Sequence, residues 1–85
     1  MSDALTQKIV AWATGVAAEA VRLPSRQARD AFLAERRREL IEAARAQGSA
    51  EGDAAILADA CVGAAHRLMT EMLAQRAGVP EGGRA

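Results

Sequence analysis

The sequence predicts an all-α fold: a three-helix antiparallel bundle, or a helical hairpin with one added helix. Three observations carry that expectation. Alanine supplies 22 of the 85 residues, tyrosine is absent, and Trp12 and Phe32 are the only aromatics. Alanine loses no side-chain entropy on entering a helix, so the backbone preference is helical throughout. Apolar residues recur at spacings of three and four, the helical period. Finally, the chain is punctuated twice, at Pro24 and around Gly48, which divides it into three helical lengths.

The first helix is expected from about Asp3 to Leu23. Leu5, Ile9, Trp12, Val16, Ala20 and Leu23 fall on one stripe, widened by Ala13 and Ala17. Gly15 lies inside it at a cost of roughly 1 kcal/mol against alanine and reads as a tolerated surface glycine. Pro24 stops the helix by removing a donor and restricting Leu23.

Ser25 is the expected N-cap of the second helix, which runs to Ala46 or Gln47, with Gly48 placed to end it. The apolar side chains of this helix are Phe32, Leu33, Leu40, Ile41, Ala43 and Ala44. After "GSAEGD", in which Ser49 or Asp53 can cap, the third helix is expected from residue 50 or 54 to Ala77. Glu51 and Asp53 suit its positive end, and Gly78 and Pro80 close it. Residues 1–78 then form one helical domain and 79–85 a flexible tail. Links this short make consecutive helices antiparallel neighbours.

The third helix carries two apolar stripes. Leu57, Cys61, Ala64, Leu68 and Met72 form one, expected to face the other helices. Val62, Met69 and Leu73 form the second, displaced by roughly 100–140°, with Ala58 and Ala65 between. A helix apolar over that much of its circumference is normally buried on two sides. Val62, Met69 and Leu73 are therefore the expected self-association surface of a homodimer that works as a protein–protein interaction or regulatory module. Eighty-five residues build a thin core, and small domains commonly gain stability by oligomerising.

Arg36, Arg37 and Arg38 stand together in "LAERRRELIEAAR" and raise the alternative of nucleic-acid binding. Eleven basic and eleven acidic residues give a formal net charge of zero, whereas dedicated nucleic-acid binders carry a basic excess. The three arginines also splay around the helix, with Arg36 and Arg37, like Arg29, beside the apolar stripe. Such arginines cover apolar surface with their stems and pair with carboxylates on another helix or another subunit, with Asp59 and Glu71 the candidates. Local acids add pairs along the second helix: Arg26 with Asp30, and Arg38 with Glu35 or Glu42. The alternative retains Arg26, Arg29 and Arg38 as phosphate contacts of a helix-turn-helix-like unit, although the flanking helices are long for that module.

Nothing in the chain forms a catalytic or cofactor motif, and neither an enzyme nor a bound metal or cofactor is expected. His66 is the sole histidine and Cys61 the sole cysteine, too few for a zinc site and not on one helix face. Cys61 on an apolar stripe behaves as a small hydrophobe. Trp12 and Phe32 are the expected large plugs of the core. The N-terminus lacks the charge and apolar pattern of a signal peptide, no apolar run is long enough to span a bilayer, and a cytoplasmic protein is the expectation.

Overall fold

The structure, a computed structural model, describes residues 3–77. Helix α1 is Asp3–Ala20, α2 is Arg26–Ala46 and α3 is Glu51–Arg76. The molecule is an all-α three-helix bundle in which α3 packs along both α1 and α2, while α1 and α2 touch each other little. Glycine and proline at 78 and 80, and the tail expected over 79–85, lie outside the described residues.

The helix ends follow local chemistry. α1 stops at Ala20, three residues earlier than expected. The Arg22 and Leu23 amides instead donate to the carbonyls of Glu19 and Ala20, tightening the last turn ahead of Pro24. Ser25 caps α2 as expected, its Oγ accepting from the Ala28 amide at 3.1 Å. At the other end Gly48 adopts φ +91°, while its amide donates to Arg45 and the Ser49 amide to Ala44. That pair of bonds around a left-handed glycine is the Schellman arrangement. α3 starts without a side-chain cap at Ala50, so neither Ser49 nor Asp53 plays that part. Arg45 reaches across the turn instead, its Nε and Nη2 donating to Glu51 Oε1 and Oε2 at 2.8 and 2.5 Å.

Direction follows from the same bonds. Arg45 with Glu51 and Arg37 with Asp59 set α2 antiparallel to α3. Arg76 Nη1 donates to the Val21 carbonyl at 2.6 Å, which brings the C-terminal ends of α1 and α3 together. α1 and α3 therefore begin at the same end of the bundle.

The core is built largely from alanine. Ala13, Ala17, Ala20, Ala58 and Ala65 are sealed from solvent, and no large side chain is. Small side chains let helix axes approach closely, and bulkier groups then pack along the edges of the contact. Val16, Leu33 and Met69 complete the main cluster, against which Trp12 and Phe32 rest half-buried. The two aromatics flank the core and do not fill it. This corrects the expectation: the positions sealed inside the contact are held by alanine, and the rings lie at its edge.

The inward face of α3 is likewise rotated from expectation. Its buried residues are Ala54, Ala58 and Ala65, between the two apolar stripes, with Cys61 from one stripe and Met69 from the other. A helix held between two neighbours points the bisector of its apolar arc inward, and here that bisector is mostly alanine. Val62 and Leu73 flank it on one side, Leu68 and Met72 on the other, all partly buried against the core.

Candidate interaction surface

The rotation of α3 separates the three residues expected at the self-association surface, Val62, Met69 and Leu73. Met69 is 4% exposed and belongs to the core, and Val62 and Leu73 pack against it. Val62 and Leu73 stay partly exposed, so the second apolar stripe is shared between the core and the surface.

The arginines of α2 are largely committed. Arg37 Nε donates to Asp59 Oδ1 at 2.6 Å, linking α2 to α3 as the sequence led one to expect. Arg36 instead pairs along its own helix, Nη2 to Glu39 Oε2 at 2.6 Å. Its guanidinium lies 5.0 Å from the centre of the Phe32 ring, a cation–π contact, and its Nε is buried without a hydrogen-bond partner. Arg38 pairs with Glu35. Glu71, the other expected partner, makes no ion pair among the described residues.

Of the three arginines expected at a phosphate face, two come together. Arg26 and Arg29 line a cleft of about 240 Å³ with Asp30, His66, Met69, Thr70 and Leu73. Arg26 stands 3.9 Å from Asp30, and Arg29 Nη1 donates to the Leu23 carbonyl at 3.3 Å. Arg38 is three turns further along α2 and does not join them. The cleft thus holds two guanidiniums against one carboxylate.

Cys61 and His66 stand on different faces of α3, Cys61 buried and His66 at the rim of the cleft with Arg26 and Arg29. The Cys61 thiol is buried, and burial pushes its pKa up, away from the reactive thiolate. Among the described residues no three histidine, cysteine or acidic side chains gather as metal ligands. No described helix is long and apolar enough to cross a membrane.

What remains is apolar. The exposed large hydrophobic residues among those described are Leu5 and Val10 on α1 and Ile56 and Leu57 on α3, at 52, 51, 70 and 38% exposure. Ile56 and Leu57 lie near the start of α3, at the end where α2 finishes, whereas the main core cluster lies towards the end where α1 runs into α2. Beside the α2–α3 turn Leu57 joins Leu40, Ala43, Ala44, Gln47 and Ser49 around a cleft of about 230 Å³. Leu57 was expected to point inward. It stands at the margin because Ala54 and Ala58 occupy the contact. Ile56 belongs to neither stripe, and its isolation on a polar face was the one sequence sign of this surface.

Compared with known proteins, the chain matches no family model, no curated protein and no solved structure.

Proposed function

We propose that the chain is a homodimer-forming helical module that acts through protein–protein contact. The observation that carries this reading is exposed apolar surface: among the described residues Leu5, Val10, Ile56 and Leu57 are large hydrophobic side chains left at 52, 51, 70 and 38% exposure, and exposed apolar groups that lie together mark contact surfaces.

Charge favours the same reading. With zero net charge, two copies do not repel one another, and a polyanion is not drawn in over distance. The free buried thiol of Cys61 suits a reducing cytoplasm, where such thiols persist. Sedimentation at micromolar concentration tests the reading. The expected mass is about twice 8.9 kDa, and a monomer across the whole concentration range overturns it.

A further inference from the structure

We infer that the cleft between the first turn of α2 and the second half of α3 is a binding site for a small carboxylate carried on a short apolar group. The inference is independent of how the chain assembles. Helical spacing builds the cleft. Arg26, Arg29 and Asp30 stand at i, i+3 and i+4 on α2, and His66, Met69 and Leu73 at i, i+3 and i+7 on α3, so each set shares one face of its helix. Antiparallel packing turns the two faces toward each other around about 240 Å³. That volume lies below the roughly 300–1,000 Å³ of pockets for drug-sized ligands, which limits the occupant to a short chain or a single ring.

Arg29 carries the chemistry. Every other arginine on α2 stands at ion-pair distance from a carboxylate, whereas Arg29 makes no ion pair among the described residues. Its side chain is half-buried, and Nη1 donates to the Leu23 carbonyl at 3.3 Å, which steadies the guanidinium and leaves its other donors uncommitted. Arg26, on the same cleft, meets Asp30 only at 3.9 Å, with both side chains exposed, so a ligand displaces little to reach it. Two guanidiniums against one carboxylate leave one positive charge unbalanced. A carboxylate neutralises it and matches the planar guanidinium donors two at a time, while a phosphate approaching two negative charges overshoots it. His66 offers a ring donor from α3, and the positive end of α2 adds its field. The facing wall is apolar, with Met69 buried and Leu73 half-buried. An alkyl or aryl group covers that wall, and the flexible thioether of Met69 adapts to its shape.

Titration of the isotope-labelled chain with hexanoate, followed by the nuclear magnetic resonance of its amides, tests the site. Acetate, hexanol and inorganic phosphate are the comparisons. Saturable shifts are expected for hexanoate in the millimolar range, centred on residues 26–30 and 66–73. Acetate lacks the chain and hexanol the charge, so each should bind about tenfold more weakly, and phosphate should not displace hexanoate. Arg29→Gln should weaken hexanoate about tenfold. So should Arg26→Gln, whose exposed side chain leaves the packing untouched, and circular dichroism checks that both variants are folded. Arg38→Gln, remote along α2, should bind as the parent does. Shifts that do not saturate, or that both cleft variants leave unchanged, overturn the site. Hexanol binding as tightly as hexanoate overturns the part given to the arginines. Acetate matching hexanoate overturns the apolar part, and phosphate displacing hexanoate overturns the choice of a carboxylate.

Discussion

Arg37 Nε lies 2.6 Å from Asp59 Oδ1, and this bond joins the middle of α2 to the middle of α3. Both side chains are about half exposed, so water and salt screen the pair and its contribution is small. A double-mutant cycle with Arg37→Ala and Asp59→Ala should return a coupling of roughly 0.2–1 kcal/mol in urea unfolding. Raising the ionic strength should shrink it further. A coupling indistinguishable from zero at low salt would remove this bond from any account of helix register.

Two glycines should respond in opposite directions to the same change. Gly48 sits at φ +91°, a region that costs an L-residue about 1–2 kcal/mol, so Gly48→Ala should lower the melting temperature. Gly15 lies within α1 with open space where a Cβ would go, and Gly15→Ala should stabilise by up to about 1 kcal/mol. Thermal unfolding of both variants checks the pair, and equal signs would contradict the helix boundaries.

Met69 is the largest deeply buried side chain of α3. Met69→Ala should therefore cost about 2–5 kcal/mol, while Trp12→Ala should cost less than its ring size alone suggests, because Trp12 is only half-buried. Ala65 is sealed, and Ala65→Leu should cost about 1–3 kcal/mol by forcing the helices apart. Chemical denaturation measures both. A neutral Ala65→Leu would mean that the alanine seam is loosely packed.

Acid should loosen the α2–α3 turn. The hydrogen bond from Arg45, aided by its charge, holds the Glu51 carboxyl below the usual carboxylate range. A folded-state pKa depressed in this way gives stability that is present above the unfolded value and lost as pH falls through the folded one. Between about pH 5 and about pH 3, the melting temperature of Glu51→Gln should fall less than that of the parent. Parallel pH profiles for the two proteins would show that the bond is not populated.

Duplex DNA should bind poorly. Arg36, Arg37, Arg38 and Arg45 each face a carboxylate at ion-pair distance, and contact with phosphate would have to displace those partners. A titration at about 50 mM and about 200 mM salt should show weak binding at the lower value and no steep fall between them. Tight, strongly salt-dependent binding would instead revive Arg26 and Arg29 as phosphate contacts.

The sequence by itself determined whatever depends on near neighbours along the chain. Alanine content set the helical state, Ser25 the start of α2, Gly48 its end, and the acid–base spacings the pairs of Arg26 with Asp30 and Arg38 with Glu35. Those interactions close within about one turn, so residue order is sufficient to specify them. Asp59 was legible only as one of two candidate partners, with Glu71, for Arg29, Arg36 and Arg37, and the packing chose Arg37 with Asp59.

Only the tertiary structure decided which way α3 faces. Two apolar stripes on one helix are equally compatible with one inward and one outward face, or with an arc shared between two neighbours. The choice depends on how closely α1 and α2 approach, which no spacing within α3 encodes. Packing resolved it in favour of the alanines between the stripes, because they admit the shortest distance between helix axes. Met69 was thereby drawn into the core, and Leu57 and Ile56 were left exposed.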